Sequence, residues 1–312
     1  MHQLNIKENK IIGIGIEGNQ IVQRIADNSI TETTCISCDI DANELEKISV
    51  DHKILLGTGI IQHLSIDNQV EIGIDSVTKS ELVFATNATI NSFEQLNILY
   101  EDNSKKVILI ANLGNTTSVG ASPVIAQIAK KRKLFVVAIV YTPYDFMGEI
   151  TKKVANLGLR KLKEDTDFTL IIKGSQIQKL YGKLSFKGSF EKSADIGIRL
   201  AKIISEKDSD LFFKNNYNEP FFIGIGESST TDKVSNALAK AIKNTLSERE
   251  TINGVSQVLL QINYGNSIIS VHQKIEVNEI IFKYSEKHCN ITVSETEQIS
   301  LGETRSILVI AY

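Results

Sequence analysis

The sequence Asn112-Leu-Gly-Asn-Thr-Thr-Ser-Val-Gly-Ala-Ser-Pro-Val-Ile-Ala126 joins a predicted strand to a predicted helix. The apolar run from Val107 to Ala111 before it predicts a buried strand. Gly114 and Gly120 stand among small polar residues and predict a turn. Pro123 is expected in the first turn of a following helix, where its missing N–H would have no partner anyway. A strand, a turn and a helix N-terminus in this order can hold a phosphate on backbone N–H groups. The alternative is an ordinary strand-to-helix turn of an α/β domain.

A second glycine-rich turn, Gly13-Ile-Gly-Ile-Glu-Gly18, lies near the start of the chain. An apolar strand from Lys10 leads into it, and helical spacing of apolar residues follows from Asn19 to Ala26. The next predicted strand ends with Asp39, and Asp39 and Asp41 stand where dinucleotide-binding folds carry a ribose-binding acid. Taken alone, this motif fits a Rossmann dinucleotide fold equally well, so a dinucleotide-dependent oxidoreductase is one hypothesis.

The composition describes a globular protein with room for two domains: 312 residues, 42% apolar and 23% charged. The net charge of −3 gives no electrostatic reason to expect binding to nucleic acid or directly to a membrane. No apolar run reaches the roughly 18 to 20 residues of a membrane span, so we predict a cytoplasmic protein. Three cysteines argue against a disulfide framework. Cys35 and Cys38 are expected on opposite faces of a strand, so we predict no metal site there.

Ala111 to Ala126 resembles the phosphate loop of the FtsZ and tubulin superfamily, which in FtsZ reads Gly-Gly-Gly-Thr-Gly-Thr-Gly followed by Ala-Ala-Pro-Val-Ile-Ala. This chain keeps Gly114, Thr117 and Gly120, and its Ala-Ser-Pro-Val-Ile-Ala is the closer match. The resemblance extends over nearly the whole chain. It implies an α/β fold, a Rossmann-like GTPase domain with a mostly parallel sheet, followed by a smaller α+β domain. We place these domains at residues 1–205 and 206–312.

The resemblance also implies a guanine nucleotide site. GTP or GDP would bind with Mg²⁺ held through the phosphates, and the protein itself would supply no metal site. The base would stack on Phe190, and the carboxylate of Asp195 would accept hydrogen bonds from the N–H groups of guanine. The predicted nucleotide contacts are Gly13, Gly15, Gly18, Asn19, Gly114, Asn115, Thr116, Thr117, Ser118, Gly120, Phe190 and Asp195.

Several functional positions of the family differ in this chain. The ribose-binding glutamate falls on Met147, the arginine near the phosphates on Thr151, and a guanine-contacting asparagine on Gly174. Methionine cannot accept a hydroxyl hydrogen bond as a carboxylate does, and threonine carries no charge. The loop that closes over the terminal phosphate is replaced by residues Thr58 to His63. We therefore expect nucleotide to bind weakly or not at all.

The catalytic residues are unassigned. In the family, the loop after the long central helix gives carboxylates to the nucleotide of the next subunit. Here that helix is predicted from Ser189 to Ser205, and the following segment is shorter. Asp208 and Asp210 are the candidates in it. Without a carboxylate that positions water, phosphoryl transfer loses a main catalytic contribution, so enzymatic activity is left open.

We thus predict a divergent FtsZ-like protein with weak or absent GTP binding and poor or lost hydrolysis. It would act by self-association or as a scaffold for a partner such as an FtsZ-type protein. The alternative is a GTP-binding, filament-forming GTPase in cell division or a related cytoskeletal role. Two further elements are predicted as strands: Leu82 to Thr86, between two helices, and Val277 to Tyr284 in the second domain.

Overall fold

The computed structural model describes residues 8–28, 33–57, 76–102, 104–206, 220–229, 234–266, 268–286, 288–298 and 301–312. The chain divides into two compact units. The first comprises Met1–Leu170 and Lys187–Lys207, and the second Ile171–Phe186 and Asp208–Tyr312. The boundary drawn from the sequence after residue 205 remains a prediction.

A six-stranded sheet carries the first half of the fold. Its strands are β1 (Asn9–Ile14), β2 (Thr33–Asp39), β3 (His52–Leu55), β4 (Lys106–Asn112), β5 (Phe135–Tyr141) and β6 (Phe168–Ile172). They are ordered β3-β2-β1-β4-β5-β6, and the pairings from β3 through to β5 are all parallel. Every residue of β1 and β2 is buried, as a parallel sheet covered on both faces requires.

Helices connect these strands. They are α1 (Gly15–Asp27), α2 (Ala42–Glu46), α3 (Ser76–Asn91), α4 (Phe93–Ile98), α5 (Thr116–Lys131), α6 (Glu149–Glu164), α7 (Gly174–Tyr181) and α8 (Phe186–Ser205), with a 3₁₀ turn at Asp145–Met147. This arrangement confirms the predicted α/β fold. Within the described ranges, no helix has the length and apolar character needed to cross a bilayer.

The strand predicted from Leu82 to Thr86 is wrong, because these residues lie in the middle of α3. Leu82, Ala85 and Thr89 are buried at the spacing of one helix face. The Thr86 hydroxyl donates to the Leu82 carbonyl at 2.9 Å, one helical turn back. Apolar and β-branched residues in this run imitate a strand, and burial of one helical face overrides that preference.

Both glycine-rich helices begin earlier than predicted. Helix α1 starts at Gly15, so Gly18 and Asn19 lie within it rather than before it. Helix α5 starts at Thr116, which places Pro123 well inside the helix and not in its first turn. A proline there removes one intrahelical hydrogen bond. Asn115 supplies the N-cap that the sequence analysis did not assign.

The second unit contains a four-stranded sheet. Its elements are β7 (Phe222–Ser228), α9 (Val234–Lys243), β8 (Gln257–Tyr264), α10 (Val271–Ser285), β9 (Asn290–Glu297) and β10 (Arg305–Ala311). The order is β7-β10-β8-β9, with β10 antiparallel to both neighbours and β8 parallel to β9. This mixed sheet confirms the predicted α+β character.

The strand predicted from Val277 to Tyr284 is also wrong, because these residues belong to helix α10. Val277 and Ile281 are buried one turn apart against the second unit's core. Ser270 and Gln273 form a capping box at the start of the helix. That pair was the sequence signal for a helix N-terminus.

Candidate functional site

The two glycine-rich turns lie side by side at the carboxyl edge of the sheet. Strands β1 and β4 are parallel neighbours, with Ile14 opposite Ala111 at their ends. Helices α1 and α5 therefore start next to each other. The structure brings together the predicted contacts Gly13, Gly15, Gly18, Gly114, Asn115, Thr116, Thr117 and Ser118 on these two segments. Their roles in binding remain predictions.

The second turn is closed by its own side chains. The Asn115 side-chain carbonyl accepts from the Ser118 N–H at 2.8 Å. The Gly114 N–H donates to the side-chain carbonyl of Asn112 at 2.9 Å. The Ser118 hydroxyl donates to the Ile14 carbonyl at 2.8 Å, which ties the two turns together. Two backbone N–H groups that could face a phosphate thus already have acceptors.

The glycines of the first turn are required by close packing. Gly15 has φ +74°, and a Cβ atom added there would lie 2.5 Å from the Ser118 hydroxyl oxygen. A Cβ atom at Gly18 would lie 2.4 Å from the Ile110 carbonyl oxygen. Gly120 packs against α3, since an added Cβ would lie 2.9 Å from the Leu82 carbonyl oxygen, and its predicted nucleotide contact remains a prediction. These glycines are accounted for without a ligand.

Two carboxylates that the sequence analysis did not single out flank the start of α5. The Asn115 amide donates to Glu17 Oε2 at 3.0 Å, and the Thr116 hydroxyl donates to Glu81 Oε2 at 3.3 Å. Burial, and after it the charge of Glu17, raises the pKa of Tyr144 above its ordinary value. The signal for Glu17 was a charged residue inside a glycine-rich turn.

Asn19, whose predicted nucleotide contact remains a prediction, is buried between α1 and β2. It is 1% exposed, and its amide donates to the Cys38 carbonyl at 3.2 Å and to Asp39 Oδ2 at 3.1 Å. Its side-chain carbonyl accepts from the Cys38 N–H at 3.2 Å. The other oxygen of Asp39 accepts from the backbone N–H of Ile40 at 2.8 Å and of Asp41 at 3.2 Å. Asn19 and Asp39 thus fix α1 to the end of β2.

Met147 lies against the second turn. A Cβ atom added to Gly114 would lie 3.0 Å from the Met147 methyl carbon. The Thr151 hydroxyl donates to the Met147 carbonyl at 2.9 Å. Tyr144 and Phe146 stack with ring centroids 5.3 Å apart, and Phe146 is 66% exposed. An apolar side chain, Met147, thus lies against the second turn.

Helix α8 carries Phe190 and Asp195, the residues predicted to hold the base. The Arg24 guanidinium of α1 lies over the Phe190 ring, 5.9 Å from its centroid. It also pairs with Glu191 at 3.8 Å. Desolvation raises the pKa of the Asp195 carboxyl, and the positive charge of Arg24 opposes this rise. The end of α1 thus contacts Phe190, whereas Asp195 is exposed.

The other end of α8 is fixed at the opposite edge of the sheet. The Lys106 ammonium group, at the start of β4, donates to the Ile204 carbonyl at 2.6 Å. The Asn9 side chain, at the start of β1, donates to the Ser205 carbonyl at 3.0 Å. Both donors satisfy carbonyls of the last helical turn. Asp208 and Asp210, the catalytic candidates, lie outside the described residues.

Part of the phosphate-binding capacity of the two turns is used by internal contacts. Glu17 places negative charge beside the N-terminus of α5, and the N–H groups of Gly114 and Ser118 have internal acceptors. Among the residues that the structure describes, no three His, Cys, Asp or Glu side chains form a metal-binding group. The Cys38 thiol is buried, and this raises its pKa. A thiolate ligand is therefore disfavoured there.

Comparisons with known proteins agree with this architecture. The model of the Tubulin/FtsZ family, GTPase domain, matches residues 8–182. The cell division protein FtsZ of Pseudomonas aeruginosa is 24% identical over 313 residues, covering 97% of this chain and 76% of its own length. FtsZ 1 of Methanocaldococcus jannaschii is 24% identical over 310 residues, which cover 96% of this chain and 81% of the relative's length.

Solved structures share the fold. An empty FtsZ dimer from M. jannaschii superposes with a TM-score of 0.80 at 23% identity and covers 97% of this chain and 87% of its own. CetZ2 from Haloferax volcanii, as a GTPγS-bound protofilament, gives a TM-score of 0.72 at 13% identity. The match covers 97% of this chain and 92% of the CetZ2 chain.

Proposed function

Because this chain belongs to the Tubulin/FtsZ family, we propose that it is a divergent member that binds guanine nucleotide weakly or not at all. In this proposal the protein hydrolyses GTP poorly and acts in the cytoplasm by self-association or as a scaffold for a partner. An FtsZ-type protein is the partner that we propose first.

The observation that carries this proposal is the Glu17 carboxylate beside Asn115, the N-cap of α5. Two unit charges about 4 Å apart interact by roughly 4 kcal/mol at an effective dielectric constant of about 20. Glu17 is half-buried, so solvent screens part of this repulsion. A remaining repulsion of only about 1.4 kcal/mol between Glu17 and a phosphate would weaken binding tenfold. Met147 and Thr151 add to this, because neither supplies the charge that the family uses at their positions.

Self-association is supported by relatives. The structural neighbours include a FtsZ dimer and a CetZ2 protofilament. In this chain, apolar side chains near the two turns are exposed, with Ile16 at 43%, Phe146 at 66% and Ile150 at 44%. A second copy or an FtsZ-type partner that covered them would remove apolar area from water.

The second candidate function is a working GTPase that forms filaments. It is favoured by the placement of α8, whose last turn is held at the amino edge of the sheet by Lys106 and Asn9. The two glycine-rich turns lie at the carboxyl edge. Asp208 and Asp210, which follow Ser205 in the sequence, are the carboxylates that we propose for hydrolysis in this second function.

Calorimetry and turnover test the two functions. The proposal expects no GTP binding, or binding weaker than about 100 μM, and no phosphate release above background. Tight GTP binding, with turnover per molecule that rises with protein concentration, would reject it in favour of the filament-forming GTPase. Asp208→Ala and Asp210→Ala would then show which carboxylate acts.

A further inference from the structure

Helices α3, α5 and α6 of the first unit enclose a cleft that is partly open to solvent. Its volume is about 240 Å³. Along α5 the lining extends from Val119 to Gln127, a distance of about 12 Å. Along α6 it extends from Leu157 to Asp165, and Thr86 of α3 lines the facing wall. The cleft therefore follows the body of the helix that begins at the second glycine-rich turn.

Two glycines bring the three helices together at one end of the cleft. A Cβ atom added to Gly158 of α6 would lie 2.5 Å from Val119 Cγ1 of α5. A Cβ atom added to Gly120 of α5 would lie 2.9 Å from the Ala85 methyl carbon of α3. The helix backbones thus approach closely on both sides of α5, and this contact closes the cleft at that end.

The part of the cleft beyond these glycines is apolar. Pro123, Val124 and Leu157 line it and are half-buried, so they leave apolar area in contact with water. The hydrocarbon part of a ligand would cover this area. Pockets for drug-sized ligands have volumes of roughly 300–1,000 Å³. The smaller volume here suits a molecule smaller than a nucleotide, and it is too small for a helical segment of a partner protein.

The opposite end of the cleft is negatively charged. Lys161, Glu164 and Asp165 line it, in the last turn and at the C-cap of α6. Their charges sum to −1, and the C-terminus of a helix adds partial negative charge. Glu164 lies six residues after Gly158, so about 9 Å along the axis separates the charged end from the closed end.

The two carboxylates are incompletely compensated by cations of the protein. Burial raises the pKa of Asp165 and the charge of Glu164 raises it further, whereas the charges of Lys131 and Lys130 oppose this rise. Lys130 is engaged elsewhere, because it pairs with Asp167 at 2.8 Å. A ligand cation at this end would form charge-assisted hydrogen bonds with the two carboxylates.

We propose that this cleft binds a small organic ammonium ion. Its hydrocarbon part lies on Val124 and Leu157, and its ammonium group lies at Glu164 and Asp165. A primary ammonium group carries three N–H donors, which carboxylates and the carbonyls of a last helical turn can accept. This inference goes beyond the proposed function and does not rest on it, because it requires neither nucleotide binding nor self-association.

The test is an NMR titration of the full chain at pH 7 with hexylammonium, 1-hexanol and hexanoate. The amide resonances of Val124, Gln127 and Lys161 locate the binding. Hexylammonium is expected to bind with a millimolar Kd, about threefold more tightly than hexanol and about tenfold more tightly than hexanoate. Butylammonium is expected to bind about fourfold more weakly than hexylammonium, because it lacks two half-buried methylene groups.

Charge variants are expected to act in opposite directions. The double variant Glu164→Gln, Asp165→Asn is expected to bind hexylammonium about threefold to tenfold more weakly, and hexanol within about twofold of wild type. Lys161→Met is expected to bind hexylammonium about twofold more tightly, because it removes a like charge. Loss of structure cannot produce both results. Val124→Trp fills the cleft and is expected to abolish binding of all the probes, and thermal melting verifies that each variant is folded.

A matched control lies at the other end of α6. Asp145 and Glu149 both pair with Lys152, at 3.3 and 3.2 Å. Glu149 is about 22 Å along the helix axis from Glu164. The double variant Asp145→Asn, Glu149→Gln removes the same two charges from the same protein, and it is expected to bind hexylammonium as wild type does.

Four results would each overturn the inference. They are equal affinities for the three probes, weaker hexylammonium binding by Lys161→Met, a control variant that weakens binding as much as the cleft variant, and no shift of the named resonances up to about 50 mM hexylammonium. A folded Val124→Trp variant that binds hexylammonium normally would place the site elsewhere and reject the cleft. Titration with GTP judges the proposed function, so the two proposals can fail separately.

Discussion

Replacing Gly197 by alanine tests how α8 is held against β5. A Cβ atom at Gly197 would lie 2.2 Å from the Tyr141 hydroxyl oxygen, while the next atoms, Tyr141 Cζ and Ile21 Cγ2, are 3.4 and 3.5 Å away. The Tyr141 hydroxyl donates to the Ser193 carbonyl at 3.0 Å. Only one atom therefore stands in the way of a methyl group.

The expected magnitudes follow from this geometry. Overpacking of a buried contact costs about 1–3 kcal/mol. Alanine in a helix interior regains about 1 kcal/mol over glycine. An approach of 2.2 Å places the cost in the upper part of this range, about 2–3 kcal/mol, so Gly197→Ala is expected to destabilise the first unit by about 1–2 kcal/mol after the gain in helix propensity. In a Tyr141→Phe background the blocking oxygen is gone, so the same substitution is expected to be neutral or to stabilise by up to about 1 kcal/mol.

Urea unfolding followed by circular dichroism measures all four proteins of this cycle. Tyr141→Phe alone is expected to cost about 1–3 kcal/mol, because the Ser193 carbonyl loses its donor. The decisive result is that Gly197→Ala lowers the free energy of unfolding in the wild-type background and does not lower it in the Tyr141→Phe background. A Gly197→Ala variant as stable as wild type, or equally destabilised in both backgrounds, would refute this packing of α8 on β5.

Two further predictions concern stability. Gly15→Ala is expected to lower the free energy of unfolding by about 2–4 kcal/mol in urea, because φ is +74° and the new methyl group would meet the Ser118 hydroxyl. Adding Ser118→Gly removes that contact but leaves the backbone strain, so a double variant as stable as Ser118→Gly alone would contradict the backbone geometry. Asp102→Asn is expected to cost about 1–2 kcal/mol at pH 7, discounted because Asp102 is half exposed, since it leaves the buried Lys10 without its ion pair at 2.5 Å. Burial alone would raise the pKa of Asp102, but hydrogen bonds from Lys10 and Ser104 outweigh it and lower the pKa. The stabilisation by ionised Asp102 is present above its unfolded pKa and is lost as the pH falls through its lower folded pKa. The unfolding free energies of the variant and of wild type should therefore differ at pH 7 and become equal in acid. A difference in unfolding free energy that remains at low pH would exclude the ion pair as its source.

The sequence predicted the parallel sheet and its two glycine-rich turns for a physical reason. In a parallel sheet covered by helices, strands are continuous apolar runs, such as Val107 to Ala111, and turns at their carboxyl ends share one edge. The family resemblance rested on these packing positions. Close packing requires some of them, since a Cβ atom at Gly18 would meet the Ile110 carbonyl oxygen of β4.

Local pattern failed where two secondary structures compete for similar residues. The run from Leu82 to Thr86 and the residues Val277 to Tyr284 are rich in apolar side chains, and both were predicted as strands. Their helical state is decided by burial of Leu82, Ala85, Val277 and Ile281 on single helix faces against other elements. A short window cannot show which face has a partner.

Residue identity and spacing are local properties, so the Tubulin/FtsZ fold and the family side chains that differ could be recognised without a structure. The contacts of Glu17 with Asn115 and of Arg24 with Phe190, by contrast, depend on the arrangement of the elements in space. These partners are far apart in the chain, and they meet because β1 and β4 are neighbours and α1 lies beside α8. The charge of a site depends on which side chains the fold brings together, and no spacing rule within one segment contains that information.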